Sequence, residues 1–292
     1  MNSSDAMTFG QARQWATNQV MKQAVGDSFD VDFLLRERFG FSTTELIINS
    51  RVKMTATQQA QFQSDIQALL QNKPPQYIVG KTHFYGNEFK VTEATLIPRI
   101  ETAELIDWIL SVYPDQQQPL SVLDIGTGTG AIAITLKKLR PNWHVVGSDI
   151  SSSALAVAQN NAAVNQVAVD FVLSDVFDNI SQQYDLIVSN PPYIAENERE
   201  LMDTRVLEFE PALALFAPDN GLAIYKKIVA GVNQHLTDHG QLFFEIGFQQ
   251  GQAITEIMKH QFPNNLVEVK RDVAKKPRMV RLDLGVTTEH EN

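Results

Sequence analysis

The residues of this 292-residue chain best equipped for chemistry are Asn190-Pro191-Pro192-Tyr193, which follow the apolar run Asp185-Leu186-Ile187-Val188-Ser189. Asn190 offers a side-chain carbonyl acceptor. The prolines cannot join a β ladder and have a fixed φ, so they stiffen the loop and leave the Pro191 carbonyl as a second free acceptor. Tyr193 adds an aromatic face. Two adjacent acceptors suit an NH2 group whose flat parent lies against a ring. An amide nitrogen is a poor nucleophile because its lone pair is delocalised into the carbonyl. Acceptors on its N–H protons favour a pyramidal nitrogen and stabilise the positive charge that grows as it is alkylated, and a desolvated ring adds up to ~2 kcal/mol of cation–π attraction. No strong base is required, since an N-alkylated, N-protonated amide is acidic enough to lose its proton to water. In an ordinary turn such residues would carry no function. Their position at the carboxyl end of a strand, where open parallel sheets bind ligands, sets them apart.

A second segment supplies the partner for that nitrogen. Val122-Leu123-Asp124-Ile125 runs into Gly126-Thr127-Gly128-Thr129-Gly130-Ala131 and then an apolar helical stretch. Glycines let the backbone turn tightly and approach a ligand, while the helix start offers unpaired N–H groups. Asp149 ends the next strand about 20 residues on, the position from which a carboxylate holds a ribose diol. Asp124 is expected to orient the glycine loop or a methionine amino group. Gly126, Gly128 and Ala131 also satisfy the dinucleotide pattern G-x-G-x-x-G/A, so a nicotinamide-dependent oxidoreductase competes with S-adenosylmethionine-dependent transfer. The absence of a Gly-Lys-Ser/Thr ending excludes a P-loop. The nitrogen clamp favours S-adenosylmethionine as cofactor, and an exocyclic adenine or guanine amine would fit the same clamp.

The elements that must position these groups follow from periodicity. Phe9, Ala12, Ala16 and Val20 form one helical stripe and Phe62, Ile66, Leu69 and Leu70 another; Val31, Leu34 and Leu35 form a shorter one, and Ser42 to Glu45 match a capping box. Residues 1–75 therefore read as a small helical bundle ended by Pro74-Pro75. Residues 76–95 read as a hairpin linker turning at Gly86-Asn87. From 96 to 286, strands expected at 121–125, 144–149, 171–173, 186–189, 241–246, 266–269 and 279–284 alternate with helices at 102–112, 131–139, 152–161, 222–236 and 250–261. This is an α/β pattern, a Rossmann-like and mostly parallel seven-stranded sheet behind a small helical bundle. Residues 287–292 read as a frayed tail.

Composition bounds the function. The net charge of −10 lies wholly beyond residue 95: 9 Lys and Arg balance 9 Asp and Glu before it, against 15 and 25 after it. An acidic catalytic half argues against direct nucleic-acid binding. The chain has no cysteine, which removes thiolate metal sites and fits a reducing cytoplasm. No run of 18 apolar residues or export signal occurs, so a soluble, cytoplasmic protein away from membranes is expected. His235 and His239 are spaced for a metal on one helix face but lack a third ligand, so no metal is expected. Lys275, Lys276 and Arg278 read as a solvated charge run, and Trp15 and Trp108 as core or interface residues.

At Leu96-Ile97-Pro98-Arg99-Ile100-Glu101-Thr102, at Phe209-Glu210-Pro211 with Ala214-Leu215, and at Phe244-Glu245-Ile246-Gly247, together with the glycine loop and Asn190 to Tyr193, the chain resembles the release-factor glutamine methyltransferases, the PrmC/HemK family, over nearly its full length. The resemblance implies a class I S-adenosylmethionine methyltransferase domain and N5-methylation of the glutamine of the Gly-Gly-Gln motif in a peptide-chain release factor, the protein partner. It implies that Gly126 to Gly130 and Asp149 bind S-adenosylmethionine, that Val176 stands where relatives place an aromatic residue near the adenine, that Asn190 to Tyr193 hold the amide, and that the helical bundle of residues 1–75 recognises the protein substrate. Ile100 and Ala103 depart from a proline and a glutamate common in the family. Read from its own residues, that segment is a helix start with Glu101 and Glu104 near the positive end.

Overall fold

The computed structural model describes residues 6–287, which divide into two compact units. The smaller takes the chain up to Lys81 and recovers Asp203–Phe209; the larger takes Thr82–Met202 and the chain from Glu210 onward.

In the smaller unit, helices α1 (Phe9–Gln23), α2 (Ser28–Phe39), α3 (Thr43–Ile48), α4 (Ala56–Leu70) and α5 (Pro75–Val79) enclose one core. The expected stripes face it: Phe9, Ala12, Ala16, Val20, Val31, Leu34, Leu35, Phe62, Ile66 and Leu69 are buried, with Leu70 packed at the margin. Side chains at the helix starts satisfy orphan N–H groups. Thr8 with Gln11, Ser42 with Glu45 and Thr55 with Gln58 form reciprocal capping boxes. Pro74-Pro75 does not end the helices as expected. Pro75 opens α5, because proline at a first helical position surrenders only an N–H that would be unpaired anyway. The unit also holds Thr204–Phe209, through a hydrogen bond from Asn72 to Thr204 and an ion pair between Arg205 and Asp30.

In the larger unit, hairpin strands β1 (Lys81–Phe84) and β2 (Asn87–Lys90) precede α6 (Ile100–Val112), β3 (Ser121–Ile125), α7 (Ala131–Leu139), β4 (His144–Asp149), α8 (Ser152–Val164), β5 (Asp170–Leu173), β6 (Tyr184–Ser189), α9 (Ala223–His235), β7 (Leu236–Glu245), α10 (Gly251–Gln261), β8 (Asn265–Arg271) and β9 (Pro277–Thr287), with single helical turns between β6 and α9. The hairpin is not a free linker. Phe84 and Phe89 enter the unit's core, and Asn161 of α8 accepts from the Lys90 N–H and donates to its carbonyl. Its turn also lies one residue earlier than expected, since the positive φ values fall at Tyr85 and Gly86. Thr287 ends β9 instead of opening a tail; residues 288–292 lie outside the described residues.

The sheet runs β5-β4-β3-β6-β7-β9-β8, with parallel pairs from β5 to β7 and antiparallel pairs at β7–β9 and β9–β8. Both faces are covered. Val122, Leu186, Val188 and Phe243 join one core cluster, and Leu123, Ile187, Leu242 and Phe244 the other, so the unbroken apolar strands alternate sides with period two. The strand order reverses between β3 and β6. In open α/β sheets the crevice opens at the carboxyl ends of such strands. Ile125 and Ser189 are paired across β3 and β6, and the Ser189 hydroxyl donates to the Ile125 carbonyl at 2.7 Å. The glycine loop and Asn190 thus leave the sheet one step beyond adjacent positions.

Candidate active site

A cavity of about 440 Å³ opens at this switch point, within the usual range for small-molecule sites. Its wall includes Gly126, Thr127, Gly128, Thr129, Asp149, Val176, Asn190, Pro191 and Pro192, closed by side chains such as Leu96, Arg99 and Leu213. Two of the expected segments, whose first residues Gly126 and Asn190 lie 64 positions apart in the chain, therefore face one space. Asp124, Gly130 and Tyr193 are not part of the wall.

The glycine loop is built by its own backbone bonds. Gly126 and Thr127 donate to the Ser148 carbonyl, and Gly128 donates to the Asp149 carboxylate at 2.9 Å. Gly126 and Gly128 have φ of +72° and +56°, and a Cβ on either would meet nothing closer than 4.0 Å. Bare backbone is thus presented to the open cavity, a cradle suited to a nucleoside-type ligand. Asp124 lies beneath it, fully buried, accepting from Thr127 Oγ1 at 2.6 Å and from the Ala133 N–H at 3.2 Å. Its other oxygen has no hydrogen-bond partner. Burial pushes its pKa up to about 7 against those bonds. Of the two roles expected for Asp124, the geometry matches orienting the loop. Gly130 caps α7 and faces Ile134 and Ala158. Asp149 accepts one backbone N–H on each oxygen, from Gly128 and Ser151, so each keeps a lone pair for a diol. Val176 is buried with φ +55° and joins the exposed Ile150 in an apolar wall.

On the opposite side, Asn190 Nδ2 donates to Thr102 Oγ1 at 3.3 Å, and Thr102 in turn donates to Glu245 Oε2 at 2.7 Å. Neither Thr102 nor Glu245 had been given a chemical role on sequence grounds, although both lie in the family-like segments. Tyr193 packs its ring against the second core cluster, while its carbonyl accepts from Gln250 Nε2 at 2.9 Å. Burial raises its pKa, as does the Glu245 charge. Arg99, the N-cap residue of α6, donates to both Glu210 oxygens at 2.6 and 2.8 Å. Burial raises Glu210's pKa in spite of that guanidinium. The pair ties the segment before α6 to the one after Phe209.

The histidine pair, the basic run and Trp108 have structural partners. α9 ends at His235, so His239 lies in β7 and the two histidines share no helix face. His235 stacks on Phe177 at 4.0 Å, with its ring nitrogens beside the Gly231 and Ile180 carbonyls. Arg278 is not a solvated charge but pairs with Asp272, and Lys276 lies over the Phe248 ring. Trp108 is core, edge-on to Phe243. No helix among the described residues is long and apolar enough to cross a membrane.

Comparison with known proteins agrees with this architecture. Residues 107–209 match the family model "Methyltransferase small domain" and residues 11–80 match "PrmC N-terminal domain". The chain is 44% identical over 254 residues to a release factor glutamine methyltransferase of Lactococcus lactis, covering 87% of this chain and 93% of that one. It is 38% identical over 275 residues to one of Enterococcus faecalis, covering 94% and 98%. In fold it is similar to a methyltransferase of Pyrococcus furiosus, at TM-score 0.51 and 15% identity over 80% of this chain and 100% of that one. It is also similar to the T. thermophilus 16S rRNA N2 methyltransferase in complex with S-adenosylmethionine and guanosine, at TM-score 0.50 and 15% identity over 70% and 49%. With identity of this degree across both units and nearly the full length of its relatives, the chain belongs to the release factor glutamine methyltransferase family.

Proposed function

We propose that the chain transfers a methyl group from S-adenosylmethionine to the side-chain amide nitrogen of the glutamine in the Gly-Gly-Gln motif of a peptide-chain release factor, in the cytoplasm. The observation that carries this reading is the single cavity shared by the bare glycine loop and Asn190-Pro191-Pro192. When bound, S-adenosylmethionine supplies a methyl group made electrophilic by its sulfonium. The protein's part is binding and orientation. Gly126 and Gly128 admit the ligand to the backbone, Asp149 offers its spare lone pairs to the ribose hydroxyls, and Val176 with Ile150 flanks the base. Asn190 Oδ1 and the Pro191 carbonyl accept from the substrate NH2, aim its lone pair and stabilise the charge that develops on it. Tyr193, held by Gln250, fixes the far end of the loop. The surplus proton leaves to water. The smaller unit is assigned to gripping the release factor.

Incubation of the purified chain with methyl-labelled S-adenosylmethionine and a release factor tests this. Mass spectrometry should find the label on the Gly-Gly-Gln glutamine; an unlabelled factor, or label only in added RNA or DNA, would overturn it. Asn190→Ala should bind S-adenosylhomocysteine almost as the unaltered chain does while turnover falls by ~100-fold, the loss expected for one preorganised hydrogen-bonding group.

A further inference from the structure

The proposed clamp has an ambiguity that the loop alone does not resolve. A primary amide has nearly the same shape whichever way it faces, yet only its oxygen can accept from a substrate NH2. Turned over, Asn190 would point a donor at a donor. Whatever sets the orientation of this amide therefore controls whether the clamp works.

The group able to do so lies behind the cavity wall. Glu245, at the end of β7, is 2% exposed and does not line the cavity. Thr102, in the first turn of α6, stands between it and Asn190, donating to Glu245 and accepting from Asn190 Nδ2. A hydroxyl has one proton. While Glu245 is ionised it can only accept, so the Thr102 proton points at Glu245 and the Thr102 lone pair must receive an amide proton. That turns the nitrogen of Asn190 inward. Its oxygen is left over: among the described residues no hydrogen bond to Asn190 Oδ1 is present, while the amide group faces both Thr102 and, behind it, the Glu245 carboxylate. A threonine placed between a buried carboxylate and an amide thus reads out the charge of the first as the orientation of the second.

We propose that Glu245 is a positioning residue for methyl transfer, acting through Thr102 to hold Asn190 with its carbonyl oxygen toward the substrate nitrogen. The inference rests on the clamp reading above. Its consequence is a dependence on pH. A protonated Glu245 can donate to Thr102, which can then donate to Asn190 Oδ1 and swing the NH2 into the cavity. The groups facing Glu245 are Glu101 and Thr102 from α6, Asn190 and Tyr193 from the loop after β6, Tyr225 from α9, which donates to its main-chain carbonyl, and Arg278 from β9. Burial raises the Glu245 pKa to about 7, against Thr102, Arg278 and Asn190, which lower it. Turnover at saturating cofactor should therefore fall as pH drops through this range and level off above it.

The test uses the full chain with a release factor and saturating S-adenosylmethionine. Thr102→Val keeps shape but removes the hydroxyl; kcat should fall roughly 10- to 100-fold, as for a misdirected reacting group, with S-adenosylhomocysteine affinity changed by less than about twofold. Thr102→Ser restores the hydroxyl and should recover kcat to within about threefold of the unaltered chain. Glu245→Gln keeps an acceptor that cannot ionise, so its kcat should stay flat between about pH 6 and 8.5 where the unaltered chain rises. If Glu245→Gln does not fold, the two Thr102 variants decide the matter alone. Unchanged kcat in Thr102→Val, a Thr102→Ser as slow as Thr102→Val, or an acidic limb persisting in Glu245→Gln overturns the inference while the substrate reading stands. No transfer by the unaltered chain overturns both.

Discussion

Asp124 and Glu245 are two carboxyls that resist ionisation chiefly because they are buried, with Asp149 and Glu101 respectively adding like-charge repulsion. Each is pushed up to about 7, Asp124 beneath the glycine loop beside Thr127 and Glu245 behind Asn190. Both folded-state values exceed those of the unfolded chain, so the folded protein binds more protons between the two. The stability they contribute is complete below about pH 4 and is lost as pH rises through about 7. The free protein should therefore unfold at lower temperature at about pH 8.5 than at about pH 6, with a loss of stability on the order of 1 kcal/mol for each carboxyl over that window at most. Thermal denaturation across that range checks it. Asp124→Asn should remove part of the slope. A stability that rises with pH would refute the sign.

At the scale of elements, the cavity depends on strands and helices that meet only through tertiary packing. Asn161 of α8 is fully buried and makes three hydrogen bonds: two with the Lys90 backbone in the hairpin and one to the Thr129 carbonyl in the glycine loop, at 2.9 Å. One side chain thus fastens β2 and the cofactor loop to the same helix. Asn161→Ala would strand several buried backbone groups, so we expect a loss of about 2–4 kcal/mol in urea unfolding and weaker S-adenosylhomocysteine binding. A variant that loses stability but binds the ligand normally would show that the Thr129 contact does not shape the loop.

For the whole molecule, every residue lining the cavity belongs to the larger unit. The smaller unit is needed for a folded protein partner, not for the small ligand, if its proposed role is right. A chain beginning at Thr82 should bind S-adenosylhomocysteine within about threefold of the full chain, as expected of a preformed pocket. It should methylate a short Gly-Gly-Gln peptide far better, relative to the full chain, than it methylates an intact release factor. Calorimetry and the labelled transfer assay measure the two. Equal losses on peptide and protein would count against a gripping role. Asp203–Phe209 remains in such a truncation without the helices that hold it, so retained folding must be checked by thermal melting.

The amino-acid order alone determined the elements and the two chemical segments. Helical stripes such as Phe9 to Val20, the Ser42–Glu45 cap, the Gly126 to Gly130 turn and the Asn190 to Pro192 loop follow from neighbours a few residues apart, and the structure has them. The shift of the hairpin turn and the start of α5 at Pro75 are local errors of one rule against another: a glycine pair against a register, a helix breaker against a helix starter. Only the tertiary structure decided the rest. Thr102 meets Glu245 across 143 positions, Arg99 meets Glu210 across 111, and Tyr193 turns to the core instead of the cavity. Those pairings follow from the strand order β5-β4-β3-β6-β7-β9-β8. Periodicity records which face of a strand is apolar, but not which strand lies beside it, because that choice is made by packing and hydrogen bonding between segments distant in the chain.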